Sequence, residues 1–322
     1  MLRFTLKRLA WLLPLLWIIA TGAFFLMRVV PGGPFTGERK LPPAIEENLK
    51  RKYNLDLPPY VNREMWRAGH PIAAFTQTQY FTYMKNLAKG DLGPSYKYPN
   101  RTVNEIVAES FPISLALGVL GMTFALIVGV VAGVLAASRQ NSVLDHATMG
   151  FAMLGICMPS FVLGLLLLII FSFDLRLLPV AGWGALRHMI LPSLTLGAPY
   201  AAYIARLTRG SMLEVIRQDY IRTAFAKGLP ERNVLLRHAL RNAMLPVVSF
   251  LGPALAGIIT GSLVVEKIFA IPGIGSHFVN AALNRDYTLV MGTVLLYSAL
   301  LILFNLAVDI AYCFLDPRVK VQ

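Results

Sequence analysis

Acidic side chains, cysteine and histidine are what this chain has least of. Its 322 residues carry 17 Asp/Glu against 30 Lys/Arg, a formal net charge of +13, with two cysteines and five histidines. His70, His146, His188, His238 and His277 are scattered without ligand spacing, so no metal centre is expected. The sequence contains no GxxxxGK[ST] phosphate loop, no HExxH, no CxxC and no GxSxG. These absences argue against a nucleotide hydrolase, a metalloprotease and an intramembrane enzyme built on a paired nucleophile and base, and no catalytic residue is expected. Cys157 and Cys313 both fall inside apolar runs, which predicts small packing residues rather than a disulfide.

What the chain has in abundance is apolar length. It is 56% hydrophobic with a mean hydropathy of +0.59, and its apolar runs reach the roughly 20 residues that a helix needs to cross a bilayer. Six spans are predicted, at 9–30, 111–137, 147–173, 188–205, 244–265 and 289–313. Pro192 and Pro199 dilute the fourth. The fold class is therefore an all-α, multi-pass membrane protein. Three basic residues precede the first span, whose apolar run of about 22 residues is longer than a signal core and ends without a small-x-small cleavage site, which predicts an uncleaved anchor.

Charge sets the orientation. With the N-terminus inside, fourteen Lys/Arg face the cytoplasm and only Arg176, Arg187, Lys267 and Arg285 fall in short outer loops, which predicts both termini cytoplasmic. Basic residues dispersed over membrane-flanking loops point to a lipid bilayer as partner and not to nucleic acid. The expected organisation is a first segment at 1–30, an extracytoplasmic segment at 31–110, a five-helix core at 111–315 and a tail at 316–322. The 31–110 segment holds eleven Lys/Arg and eight Asp/Glu. It suits a small lid or cap rather than a domain with its own large core. Asn100-Arg101-Thr102 matches a glycosylation acceptor, a tripeptide common by chance.

Residues 206–243 carry eight Lys/Arg against three acids, so this loop belongs in the cytoplasm. Met212, Ile216, Tyr220 and Ala224 recur every fourth position as one helical face. Gly228 then offers a left-handed stop, and Pro230 with Glu231 a new start, so a helix–turn–helix knob is predicted. Ala125, Gly129, Gly133 and Ala137 in the second span, and Pro253, Gly257 and Gly261 in the fifth, form small-residue stripes where helices approach closely. Prolines inside the spans suit kinked helices around a watery path. Pro159, Asn305 and Asp309 are its candidate lining residues, although Asp309 could instead pair with a basic residue such as Arg206. Beyond the turn-rich Pro272-Gly273-Ile274-Gly275, the residues Phe278, Ala281, Ala282 and Arg285 stand at helical spacing. Phe278, Asn284, Arg285 and Asp286 are the candidate outer gate or contact surface, with a plain packed connector as the alternative.

The segment RTAFAKGLP with the downstream HALRNAMLPV resembles the cytoplasmic EAA loop of ABC importer permeases, in its dipeptide and oligopeptide variant. PGGPFTGERKLPP at 31–43, KGDLGPSYKY at 89–98, ARLTRGSMLEV at 205–215 and VVEKIFAIPGIGSHFVNAALNRDYTLV at 264–290 extend the likeness to bacterial oligopeptide importers almost end to end. Arg222 and Thr223 replace the usual Glu and Ala of the motif, as is usual in the peptide branch, and 57–79 reads as longer than in relatives. The resemblance implies a type I ABC importer permease in the bacterial inner membrane. It implies a homologous second permease subunit, two ATP-binding subunits, and an extracytoplasmic peptide-binding protein as partners. ATP and Mg would be bound by those ATPases, leaving this chain without a cofactor. It implies Arg222, Thr223, Ala224, Ala226, Lys227, Gly228, Leu229, Pro230 and Arg232 as the coupling loop. Dipeptide, glutathione and nickel importers share the pattern. A self-contained secondary transporter or channel is disfavoured by the scarcity of buried ionisable groups.

Overall fold

The structure is a computed structural model that describes residues 2–29, 47, 48, 51–260 and 262–315. Among them there is no β-strand, only an isolated bridge between Pro94 and Thr102. In chain order the helices are α1 (Leu2–Val29), α2 (Arg63–Arg67), α3 (Pro71–Thr76), α4 (Gln79–Ala88), α5 (Val103–Ser138), α6 (Val143–Cys157) and α7 (Ser160–Leu167). α7 runs on as a wider π-helical stretch, Leu168–Asp174. Next come α8 (Leu186–Ile216), α9 (Asp219–Ala226) and α10 (Glu231–Asn233). A π-helical turn over Val234–Ala239 leads into α11 (Leu240–Ala243). The last four are α12 (Leu245–Thr260), α13 (Leu263–Ile268), α14 (Ile274–Asn284) and α15 (Tyr287–Leu315).

Side-chain caps fix several of these boundaries. The Thr102 hydroxyl accepts from the Glu105 amide at 3.2 Å while the Glu105 carboxylate accepts from the Thr102 amide at 3.1 Å, a reciprocal box that starts α5. Ser142 caps α6 through the Asp145 amide at 3.2 Å, and Thr78 caps α4 through the Phe81 amide at 3.2 Å. Asn100, of the glycosylation-like triplet, has φ +59 in the turn before α5, a conformation that Asn tolerates well.

Among the described residues, four helical stretches are long and apolar enough to cross a membrane: Ala10–Val29, Val103–Ser138, Leu245–Ile268 and Tyr287–Val308. The expected third span is not one straight helix. α6 and the helix from Ser160 to Asp174 meet at 108°, with Pro159 at the break, so the apolar run that reads as a single span is a bent pair. The expected fourth span falls within α8, a helix of 31 residues that is not one of the stretches apolar enough to cross a membrane. Its low hydropathy has a physical cause: Pro192, Ser193, Thr195 and Thr208 are buried within the protein, where an apolar surface toward lipid is not required.

The chain divides into two compact units, one formed by 13–111 with 277–298 and the other by 1–12, 112–276 and 299–322. In this division the outer part of α1 and the residues around the α14–α15 junction fall in the same unit as residues 51–111. In the smaller unit Val103, Ile106, Ala281, Leu289 and Val290 form one buried cluster, and Phe24, Tyr287 and Met291 another. In the larger unit α8 is central, packing against α6, α7 and α12. Gly129 and Gly133 bring the backbones of α5 and α8 together. A Cβ on Gly129 would lie 2.7 Å from the Ala201 carbonyl oxygen, and one on Gly133 2.6 Å from that of Ala205. Ala125 and Ala137 of the same stripe are buried, so the pattern reports packing within the chain. In the fifth-span stripe Gly257 meets the Tyr200 hydroxyl, and Gly261 lies outside the described residues. Cys157, expected as a packing residue, is exposed because it ends α6 at the bend; the side chain of Cys313 lies outside the described residues.

Candidate functional site: the basic knob and two buried carboxylates

The knob forms as predicted, with one change of register. α8 ends at Ile216 and α9 begins at Asp219, so the four-residue recurrence from Met212 to Ala224 does not run along one helix. Met212 and Ala224 are buried, Ile216 is half-buried, but Tyr220 is 43% exposed. Ile221 turns inward in its place, fully buried, and joins Met212, Ala224, Val234, Ala239 and Ala243 in one core with Ala137. Gly228 has φ +74. Its amide bonds the Phe225 carbonyl at 2.9 Å while the Leu229 amide bonds that of Ala224 at 3.4 Å, which closes the end of α9. α10 then starts at Glu231 after Pro230, as predicted. The Asn242 amide group donates to the Tyr220 hydroxyl at 2.8 Å and ties the far end of the knob back to its start.

Of the predicted coupling residues, Ala224 is buried and structural. Arg222, Thr223, Ala226, Lys227, Gly228, Leu229, Pro230 and Arg232 are exposed. Phe225 and Leu229 are exposed among them at 43% and 37%. The knob therefore exposes the apolar Phe225 and Leu229 together with the basic Arg222, Lys227 and Arg232, over a buried apolar core.

Sequence reasoning missed what anchors it. Asp145, 2% exposed, makes a two-pronged ion pair with Arg209 on α8, with Nε to Oδ1 at 2.6 Å and Nη2 to Oδ2 at 2.7 Å. Its carboxylate also accepts from the Asn141 amide at 2.9 Å, locking the α5–α6 turn to the helix that carries the knob.

Two more buried carboxylates organise the segment around α13 to α15. Glu266, fully buried, accepts from the hydroxyls of Ser114 at 2.7 Å and Ser262 at 2.6 Å and from the Ser276 amide at 2.9 Å in the first turn of α14. A side chain on Gly273 would overlap that carboxylate, so the Pro-Gly-Ile-Gly turn is shaped around it. Asp286 was expected on an outer contact surface. It is instead fully buried, accepting from the Ser95 hydroxyl, the amides of Tyr96 at 3.1 Å and Lys97 at 3.3 Å, and, on α15, the Thr288 hydroxyl at 3.0 Å. A carboxylate with that many donors is committed to holding the 95–97 loop. The helix expected around 278–287 begins earlier, at Ile274, and ends at Asn284. Arg285 lies past its end with φ +59, half-buried. Phe278 packs against the Val103 cluster, and Asn284 is exposed. Pro159 is exposed at the α6–α7 break; Asn305 lies against Gly252 of α12, where a Cβ would be 3.0 Å from its Oδ1; the side chain of Asp309 lies outside the described residues.

The helical core and basic knob coincide with residues 129–321, which match the family model described as binding-protein-dependent transport system inner membrane component. The chain belongs to this family. The permease is 51% identical over 322 residues to the oligopeptide transport system permease protein of Salmonella typhimurium, covering 99% of this chain and 100% of that one. It is 49% identical to that of Haemophilus influenzae over the same shares, and 44% identical to the dipeptide transport system permease protein of Bacillus subtilis, covering 100% and 99%. Among solved structures, an inward-facing form of the MetNI methionine ABC transporter matches with a TM-score of 0.55 at 18% identity, over 66% of this chain and 96% of that one. The fold is that of a type I ABC importer permease, and the permease is a multi-pass protein of the bacterial inner membrane.

Proposed function

We propose that this permease is a membrane subunit of an ATP-driven oligopeptide importer. It forms one half of the translocation path with a homologous second permease and receives peptide from an extracytoplasmic binding protein. Two separate ATPase subunits bind the ATP and Mg, and one of them docks on the 206–243 knob. The observation that carries the reading is the knob itself: exposed Phe225 and Leu229 on a segment that also exposes Arg222, Lys227 and Arg232, over a buried core that includes Met212 of α8. Such a surface suits an apolar pocket with an acidic margin on a partner, and a docked partner that moves would carry α8 with it as a rigid body. The greater identity to oligopeptide than to dipeptide permeases supports the longer substrate. At the other face, Asn284 and Arg285 at the end of α14 are proposed to meet the binding protein, with Phe278 seating the helix. Pro159, Asn305 and Asp309 are proposed to line the path.

Uptake of labelled peptides by the reconstituted transporter tests this. Peptides of three to five residues should compete with one another for uptake and accumulate only with ATP, whereas nickel and glutathione should leave uptake unchanged. Substitution of Phe225 by Glu should abolish uptake and co-purification of the ATPases while the permease still inserts. ATPase binding unaffected by that substitution would remove the knob from the coupling route.

A further inference from the structure

In the smaller unit the outer end of α1 closes one side of a cavity of about 90 Å³ that the transport reading does not use. Arg28, in the last turn of α1, is among the residues that line it. Nε and Nη2 are held by the Gln79 side-chain oxygen at 3.3 and 2.7 Å, and the Gln79 amide group in turn donates to the carbonyls of Leu55 at 3.2 Å and Leu57 at 2.6 Å. The Phe24 ring lies 3.8 Å beneath the guanidinium carbon. The group is thus fixed in place, yet Nη1 is buried and has no hydrogen-bond partner, and no carboxylate pairs with Arg28 among the described residues.

A second donor has the same defect. The Tyr83 hydroxyl is buried without a partner, and Tyr83 is another residue of the cavity lining. Burial holds its phenol well above the ordinary tyrosine range, so it remains a neutral O–H donor at physiological pH. Lys52 adds another positive charge to the lining. Asp91 is the acid of the lining, and one of its oxygens accepts from the Gly93 amide at 2.8 Å. A half-buried guanidinium with no carboxylate partner among the described residues, and a second unused donor on a residue lining the same cavity, make an arrangement that a bound oxyanion satisfies.

The depth of the cavity indicates which oxyanion is at hand. Arg28 stands at the end of the apolar stretch Ala10–Val29, where a spanning helix meets the headgroup layer. One turn below, Phe25 is 43% exposed and stacks on Tyr60 at 4.8 Å, an aromatic pair of the kind found at that boundary. We propose that the Arg28–Tyr83 cavity is a phosphate site occupied by the phosphodiester of an outer-leaflet phospholipid, with Arg28 Nη1 and the Tyr83 hydroxyl donating to its free oxygens.

Native mass spectrometry of the full chain, delipidated and titrated with phosphatidylglycerol in a neutral detergent, tests the site; parallel titration with inorganic phosphate, read as a shift in the thermal midpoint, tests the source. The wild-type chain should retain one phosphatidylglycerol. Arg28→Gln and Tyr83→Phe should each weaken retention at least tenfold, and Lys85→Gln, an exposed change on the same helix, should not. Tyr83→Phe removes only the uncommitted hydroxyl, so its midpoint without lipid should match wild type and keeps the test valid if Arg28→Gln fails to fold. Protection by inorganic phosphate that depends on Arg28 and Tyr83, without lipid retention, would uphold the phosphate site and overturn the lipid as its source. Equal lipid retention and equal phosphate response in wild type and both variants would overturn the site.

Discussion

At Gly228 the only obstacle to a side chain is the backbone itself. Its φ is +74 and a Cβ would meet nothing within 4 Å, so the cost of a substitution comes from the left-handed conformation alone, about 1–2 kcal/mol. Gly228→Val should therefore lower peptide uptake by misdirecting α10 while leaving membrane insertion intact, and Gly228→Asn should retain more uptake, because Asn tolerates this region. Uptake measured beside the amount of inserted protein separates these outcomes. Tyr96 offers a pH probe in the other unit. Burial pushes its phenol up from 10.0 to about 12, with the neighbouring Arg28 charge opposing the shift. Between those two values an unfolded chain gives up a proton that the native chain keeps, so its contribution to stability is constant below pH 10 and is lost as pH rises toward 12. A tyrosinate absorbance titration should show late components beyond the ordinary tyrosines, and Tyr96→Phe should remove one of them while that of Tyr83 remains.

Between elements, contact distance decides which changes are tolerated. Gly129→Ala and Gly133→Ala each place a carbon against a carbonyl of α8 and should destabilise by about 1–3 kcal/mol, seen as a lower thermal midpoint. Gly210→Ala, with nothing within 4 Å of the added carbon, should not. The Asp145–Arg209 pair is a stronger case. Arg209→Ala leaves an inward-facing carboxylate without its cation, which costs about 3–5 kcal/mol in buried pairs. Arg209→Ala combined with Asp145→Ala should recover part of that loss in the same midpoint measurement. These elements also show what sequence makes legible. Span lengths, the Gly228 turn and the small-residue stripe were readable because each is a local property of a few neighbouring residues. The bend at Pro159 was not, since an apolar run has the same composition straight or bent. Asp145, Glu266 and Asp286 were hidden for a different reason: Ser95 and Asp286 are 191 positions apart, and no spacing rule connects a carboxylate to donors that distant. Asp286, read as a surface charge beside Arg285, is the clearest consequence.

For the molecule as a whole, the absence of a phosphate loop leads to a biochemical expectation. The purified chain alone should bind no ATP and hydrolyse none; stoichiometric nucleotide binding, measured by equilibrium dialysis, would contradict the subunit assignment. Activity should appear only when ATPase subunits are added. The contact of α5 with α8 at Gly129 and Gly133 then acquires a mechanical meaning. α8 is a helix of 31 residues, about 46 Å long, and the knob follows directly from its end. Where backbone touches backbone there is no side chain to flex and no slack to take up. A displacement of a fraction of an ångström at one end of such a strut arrives undiminished at the helix beside it, so the stiffness of the transmission is set by two hydrogen atoms standing where side chains would otherwise act as springs.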